Sequence, residues 1–351
     1  MDQAKLFSGK AFVFESSEVD NSSDNTLISM IFKGLSKPVE VDSVKLLNSF
    51  IEYDCYKVIS KNRAYNIKIS FSENCPPLQR EADSLNLLSN QVAPQLIDFN
   101  QVNIGEKITY LISTQEQSHT VETLGRSFLV NNFSSFLECW KELINSTPPK
   151  YSVRDNASDL ISSLNFKESF YQDAYEAAYD MSEFGKIESI INNICKNMSD
   201  IYDSSIPESK YFCHGFLDPS NILWRNGVFK FCNFQKSFSG HYLLDLSQLL
   251  LNFGVKGASK RKLIRDYRSY MGVEFTAEEY KACEKLNILM ILGQIILRYF
   301  TEVYIFESSR PLEFCKIMTL YSHNFNEFNR FDFFSDHKKF LSKMIINPIN
   351  S

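Results

Sequence analysis

The chain has 351 residues, 44% of them hydrophobic and 23% charged, so it is long enough to bury a sizeable core without disulfides or metals. Its formal net charge of -5 predicts no large basic face and gives a nucleic-acid-binding role no support. The eight cysteines include no CxxC pair and the first ten residues show no secretion signal, so a zinc motif is not indicated and we expect a cytoplasmic location.

The chain opens with a polar lead-in over residues 1–43. Residues 14–27 are polar and acidic, which predicts a loop and a partly mobile segment. From 44 to 70 apolar and polar residues alternate on both sides of a polar turn at 61–63. This period of two predicts a pair of antiparallel strands at the start of a small β-rich lobe.

That lobe, with bounds 44–115, is completed by a helix over 77–90 and strands over 93–99 and 108–113. A polar connector at 114–127 leads into a larger lobe with bounds 116–351. Its predicted helices are at 128–145, 167–202, 242–254, 258–271, 276–306 and 311–345. The apolar run within the fifth of these is too short for a bilayer, so we expect no membrane association. The elements together predict an α+β fold of two lobes.

A loop between the helices carries the strongest functional signal. Residues 214–223 read HGFLDPSNIL, and His214, Gly215, Pro219 and Asn221 have the spacing of a phosphotransferase catalytic loop. A β-ribbon follows, since Arg225-Asn226-Gly227 has good turn chemistry between two short strands. Further on, Asp245 stands at a helix start, where it either caps the helix or accepts hydrogen bonds from the loop backbone.

Phosphoryl transfer also needs a lysine that holds the nucleotide phosphates and a glutamate that orients it. Lys68 lies in the middle of a predicted strand, and Glu81 lies on the helix that follows. We expect the two to form such a pair. The alternative is an ordinary ion pair on the surface, which would contribute little to stability.

These features together resemble the aminoglycoside phosphotransferase and choline kinase superfamily, whose loop reads HGDxxxxN and whose later metal motif reads [IV]DF or [IV]DW. The resemblance covers residues 44 to 300 and implies a protein-kinase-like fold with ATP and magnesium as cofactors. It implies nucleotide contact for Lys68, orientation of that lysine by Glu81, metal contact for Asn221, and loop support for His214 and Asp245.

Three departures from the superfamily pattern fall in the site itself. Phe216 occupies the position of the catalytic aspartate, and Asn233 occupies that of the metal-binding aspartate. A phenyl ring cannot take a proton, and hard cations prefer carboxylates to amides. The stretch from Asn48 to Asp54 also lacks the glycine that a phosphate cradle would need. Nucleotide and magnesium are therefore expected to bind weakly or not at all.

Three functional hypotheses follow. The first is a pseudokinase, which binds nucleotide or a protein partner without efficient phosphoryl transfer. The second is a divergent active small-molecule phosphotransferase in which Asp218, two residues after Phe216, serves as a displaced base. The third is a scaffold that retains only the fold, because function depends on the site and not on the fold.

Overall fold

The structure is a computed structural model that describes residues 22–49, 53–61, 63–73, 75–103, 107–115, 118–149, 184–207 and 210–300, with Phe328, Phe331 and Phe334. The predicted helix over 311–345 lies outside the described residues apart from those three phenylalanines. The same holds for residues 167–183 of the predicted helix over 167–202.

The N-terminal lobe is a five-stranded antiparallel sheet with the strand order β1-β2-β3-β5-β4. Its elements are α1 (Ser22–Lys33), β1 (Ser43–Ser49), β2 (Asp54–Ser60), β3 (Arg63–Ser70), α2 (Pro76–Leu87), β4 (Leu96–Asn103) and β5 (Lys107–Thr114). Alternate residues of β3 face opposite sides of the sheet. Tyr65 and Ile67 pack in one core cluster with α1, while Lys68 faces Glu81 of α2.

Helix α1 corrects the prediction of a loop over 14–27, since residues 22–27 form its first turns. The helix continues beyond this polar stretch into an apolar stripe formed by Ile28, Ile31 and Phe32, all of which are buried against the sheet. Asp24 on the polar side accepts a hydrogen bond from the hydroxyl of Tyr56 at 2.9 Å. The strand predicted from 44 onward is likewise divided into β1 and β2, which pair antiparallel.

The second lobe is mainly helical. Its described elements are β6 (His119–Thr120), α3 (Val121–Leu124), α4 (Arg126–Asn131), α5 (Phe133–Asn145), α6 (Phe184–Ser205), β7 (Tyr211–Cys213), β8 (Ile222–Arg225), β9 (Val228–Phe231), β10 (Phe238–Gly240), α7 (Tyr242–Asn252), α8 (Gly257–Met271) and α9 (Ala277–Phe300). Two single 3₁₀ turns, at Pro219–Asn221 and Phe234–Lys236, flank the β8–β9 hairpin. Asn221 lies in the first of these turns, and Asp218 and Asn233 are the N-terminal caps of the two turns.

Helices α7 and α9 form the centre of this lobe. Nine of the eleven residues of α7 are buried, including polar Asp245, Ser247 and Gln248. The Asn287 side chain of α9 donates to the carbonyl of Leu244 and to the Ser247 hydroxyl, both at 2.7 Å. The apolar run of α9 is buried at its described side chains, among them Leu286, Leu289 and Leu292. Among the helices of the described ranges, none has the length and hydrophobicity to cross a bilayer.

Candidate functional site

The Lys68–Glu81 pair lies between the sheet and α2. The Lys68 ammonium donates to both Glu81 carboxylate oxygens, at 2.6 and 2.8 Å, and each residue is only 4% exposed. Burial alone would lower the pKa of Lys68, but the neighbouring groups, foremost the Glu81 carboxylate, together outweigh it and raise the pKa above its usual value. The pair is therefore buried, and the alternative of a surface ion pair is wrong.

The loop after β7 is held by α7. The Asp245 carboxylate accepts the backbone N–H groups of His214, at 2.6 Å, and Gly215, at 3.0 Å. Gln248, one turn further along α7, accepts the N–H of Leu217 at 2.7 Å. Asp245 thus holds the loop, while the N-terminal cap of α7 is His241. Gln248 was not predicted from the sequence, although its separation of three residues from Asp245 places both on one helix face.

His214 is fully buried beneath this loop. Its Nε2 lies 2.9 Å from the carbonyl of Cys232, and its Nδ1 accepts the N–H of Phe216 at 3.3 Å. Only the neutral tautomer that carries its proton on Nε2 can make both bonds. Burial lowers the pKa of His214 to about 4, which keeps the ring neutral. His214 is therefore a structural link between the loop and β9, not a proton acceptor.

Phe216 lies in the loop between β7 and the Pro219–Asn221 turn. Its ring is half-buried and packs beneath the Lys236 ammonium, with 4.8 Å from Nζ to the ring centroid. Its carbonyl accepts a hydrogen bond from Asn221 Nδ2 at 3.0 Å. The position that the resemblance assigned to the catalytic base is thus occupied by an aromatic ring in a cation–π contact, and the ring has no site for a proton.

Asp218 has a local structural partner. Its Oδ1 accepts the N–H of Ser220 at 3.0 Å and the Ser220 hydroxyl at 2.7 Å. This is the cap of the 3₁₀ turn Pro219–Asn221. The carboxylate therefore already accepts two hydrogen bonds within its own turn, which weighs against its use as a displaced base.

Asn221 and Asn233, the two residues that the superfamily resemblance assigned to metal positions, are hydrogen-bonded directly to each other. Asn233 Nδ2 donates to Asn221 Oδ1 at 2.7 Å, and Asn233 Oδ1 accepts from Lys68 Nζ at 2.8 Å. With its two bonds to Glu81, the ammonium then uses all three of its N–H groups on protein acceptors. We refer to the Lys68–Asn233–Asn221 connection as the amide bridge.

Gln235 and Tyr53 add a second connection between the lobes. Gln235 Nε2 donates to the Tyr53 hydroxyl at 2.6 Å and to Glu81 Oε2 at 3.1 Å. Ser84 on α2 and Ser237 share a further hydrogen bond of 2.6 Å. Tyr53 was missed by the sequence reasoning because it precedes β2 and belongs to no recognisable motif. These contacts join α2 and the residue that precedes β2 to the segment that follows β9.

Magnesium does not fit the residues at this site. Asn221 Oδ1 and Asn233 Oδ1 are the amide oxygens at the metal positions, and each already accepts a hydrogen bond from the protein. The charges of Lys68 and Glu81 cancel, so this pair offers no net negative charge to a hard cation. Within the described ranges, no three His, Cys, Asp or Glu side chains are grouped so that they could hold a metal.

The cysteines beside the site do not supply a nucleophile. Burial raises the pKa of Cys232 to about 12, and its Sγ donates to the carbonyl of Asn221 at 3.5 Å. Cys213 is fully buried at the end of β7. Cys232 is therefore a thiol at neutral pH, and a thiolate would be needed for attack.

No protein-family model matches the chain, and no curated protein sequence matches it. Several solved structures, in contrast, are similar to the chain. A thermostable mutant of aminoglycoside phosphotransferase APH(4)-Ia, with ADP and hygromycin B, has 13% identity and a TM-score of 0.54, over 86% of this chain and 98% of that one.

Two other similar structures act on or bind different small molecules. Choline kinase LicA from Streptococcus pneumoniae, in complex with AMP, has 15% identity and a TM-score of 0.56, over 85% of this chain and 96% of that one. Spectinomycin phosphotransferase APH(9)-Ia, with ADP and spectinomycin, has 12% identity and a TM-score of 0.52, over 80% of this chain and 88% of that one. The chain therefore has the two-lobed, protein-kinase-like fold that aminoglycoside phosphotransferases and choline kinase share, as its sequence predicted.

Proposed function

We propose that this protein is a pseudokinase, a kinase-like protein that does not carry out efficient phosphoryl transfer. The observation that carries the proposal is the amide bridge. Lys68, Asn233 and Asn221 occupy the positions that would hold phosphate and metal, and their polar atoms bind one another. A site built for transfer needs charge and free ligand positions at those points.

The replacement of the base supports the same conclusion. A positioned general base contributes about 10²- to 10⁴-fold to a rate, and Phe216 cannot supply that contribution. Asp218, the substitute that the sequence suggested, bonds to Ser220 through Oδ1 in its own turn. The divergent-phosphotransferase hypothesis would therefore have to use the second carboxylate oxygen, Oδ2, while Oδ1 remains bonded within the turn.

Nucleotide is the first ligand that we assign to the proposed pseudokinase. The similar structures were determined with ADP or AMP, which makes nucleotide the ligand class to test. A phosphate could reach Lys68 only by displacing Asn233 or Glu81 from the ammonium. We therefore expect weak binding, dominated by the base and sugar. If nucleotide does not bind, the alternatives are a protein partner or a scaffold that retains only the fold.

Transfer is tested with the full chain, ATP and magnesium, by following phosphate release and phosphorylation of choline, hygromycin B and spectinomycin. The native chain and Asp218→Asn are expected to give the same background rate. Asparagine can still cap the 3₁₀ turn, so this variant is a fair test of the base alone. Turnover by the native chain that Asp218→Asn abolishes would overturn the proposal in favour of the divergent phosphotransferase.

Binding is tested separately by thermal unfolding with AMP, ADP and ATP. A ligand that binds only the folded state raises the unfolding temperature by mass action. A saturable rise with adenine nucleotides, absent with matched concentrations of inorganic phosphate, would support a nucleotide-binding pseudokinase. An unchanged temperature at millimolar nucleotide would exclude nucleotide as the ligand and leave the protein-partner and scaffold hypotheses.

A further inference from the structure

The amide bridge has a single hydrogen-bonding direction. The Lys68 ammonium only donates, so Asn233 must present Oδ1 to it. Nδ2 of the same amide then faces Asn221 and donates to its Oδ1. Asn221 in turn presents Nδ2 to the carbonyl of Phe216. The charge of Lys68 therefore determines the orientation of both amides.

The backbone at Asn233 favours asparagine and tolerates aspartate. Its φ of 64° and ψ of 59° lie in the left-handed region, which asparagine and aspartate enter more readily than other residues with a side chain. The exposed turn residue Asn226 has a similar φ of 50°. An exchange of asparagine for aspartate at either position changes one NH₂ group into an oxygen with little effect on the backbone.

We propose that the amide bridge excludes divalent cations from this cleft, and that the exclusion depends on one group, the Nδ2 amide of Asn233. Asn233 thereby joins Lys68 to Asn221 without a metal ion. The inference rests on the proposed function in one respect, the assignment of residues 221 and 233 to the metal positions. It deepens that proposal by stating which group prevents metal binding.

Replacement of that group by oxygen has two opposed consequences. In Asn233→Asp, a carboxylate oxygen would face Asn221 Oδ1 at the 2.7 Å separation that a hydrogen bond now spans. Two acceptors at that distance repel each other unless a proton or a cation lies between them. A turn of the Asn221 amide would relieve the repulsion but would remove its bond to the Phe216 carbonyl. A divalent cation relieves it without that loss, because carboxylate and amide oxygens are suitable ligands.

The test measures bound Mn²⁺ by electron paramagnetic resonance on the full chain, without nucleotide. The native chain is expected to bind no Mn²⁺ at millimolar concentrations, and Asn233→Asp is expected to bind one ion. Asn226→Asp is the matched control, with the same change in charge and a similar backbone conformation, and should behave as the native chain. Circular dichroism and the unfolding temperature verify that each variant is folded.

A second variant keeps the inference testable if Asn233→Asp does not fold. Asn221→Asp adds the same charge and leaves an acceptor for Asn233 Nδ2, although its second oxygen would face the Phe216 carbonyl at the 3.0 Å that Asn221 Nδ2 now spans. Because the Nδ2 group of Asn233 remains in place, Mn²⁺ should bind this variant less than Asn233→Asp. Equal binding by Asn221→Asp and Asn233→Asp would overturn the inference, since charge alone would then explain it. Mn²⁺ binding by the native chain that Asn233→Ala removes, or no binding by folded Asn233→Asp, would overturn it as well. None of these results depends on phosphoryl transfer, which tests the proposed function by itself.

Discussion

Lys68 Nζ lies 2.8 Å from Asn233 Oδ1, although the two residues are 165 positions apart in the chain. The contact joins the middle of β3 to the segment after β9 and thus connects the two lobes. Lys68 and Glu81 are each only 4% exposed, so the charged end of this connection is shielded from water, whereas Asn233 itself is exposed. There the loss of one partner leaves a charge buried without compensation.

We therefore expect Lys68→Met to lower the free energy of unfolding by about 3–5 kcal/mol. The double variant Lys68→Met, Glu81→Leu should recover part of the loss, because it removes the stranded carboxylate. Lys107→Met is the control, since Lys107 and Glu73 form an ion pair with both side chains 57% exposed. Its cost should be about 0–1 kcal/mol. Urea unfolding measures all three, and equal costs at positions 68 and 107 would contradict burial of the Lys68–Glu81 pair.

The second prediction concerns the support of the loop by Asp245. Its two carboxylate oxygens accept separate N–H groups, from His214 and Gly215. In Asp245→Asn one oxygen becomes an NH₂ group that faces a donor, so we expect a loss of about 1–3 kcal/mol. The same exchange at exposed Asp203, on α6, should change stability by less than about 0.5 kcal/mol. Urea unfolding of both variants provides the comparison, and similar values would argue against a supporting role.

The third prediction concerns Gly215. Its φ is +78°, and a Cβ atom there would lie 1.8 Å from the carbonyl oxygen of Lys236. Gly227 has a φ of +86° in the β8–β9 turn, with nothing within 4 Å of its Cβ position. Gly215→Ala should therefore cost at least about 2 kcal/mol more than Gly227→Ala, since only the former adds a backbone collision to the torsional cost. Thermal unfolding of the two variants would show whether they differ.

The fourth prediction concerns pH. Burial lowers the pKa of His214 from 6.5 to about 4, so the unfolded chain takes up a proton at a higher pH than the folded chain. The resulting stabilisation is present above pH 6.5 and is lost as the pH falls toward 4, by about 3 kcal/mol at most. His241, whose pKa burial also lowers to about 4, acts in the same direction.

The measurement is the urea midpoint at several pH values between 7.5 and 4.5. His214→Gln should reduce the loss of stability on acidification, because one of the two depressed histidines is absent. His119→Gln, at an exposed position of β6, should leave the dependence as it is in the native chain. An unchanged pH dependence in His214→Gln would mean that the buried ring does not contribute.

Much of the fold could be predicted because its signals are local. The Asn226-Gly227 pair forms the predicted turn, with φ values of 50° and 86° that suit these two residue types. The predicted helix over 128–145 contains α4 and α5, which divide at Asn132 because its side chain bonds to the Phe128 carbonyl. The prediction of a loop over 14–27 was wrong because the polar composition was given more weight than the helical spacing of Ile28, Ile31 and Phe32.

The candidate site could be predicted only as a set of positions. The order of residues indicated that Lys68, Glu81, Asn221 and Asn233 belong to one cleft. It did not indicate that the two amides bind each other, nor that Tyr53 reaches Gln235 across the lobes. Those contacts depend on side-chain directions that no spacing rule describes.

By itself, the sequence determined the two-lobe fold and predicted that Phe216 and Asn233 stand where the superfamily that it resembles has acids. Residue identity and short-range periodicity suffice for both, since they require no knowledge of distant partners. The tertiary structure alone decided that Lys68 is buried, that its ammonium directs both amides, and that Asp218 is held in its own turn. The reason is that burial and hydrogen-bond direction are properties of the assembled neighbours, which here come from β3, α2 and a segment 165 residues from Lys68.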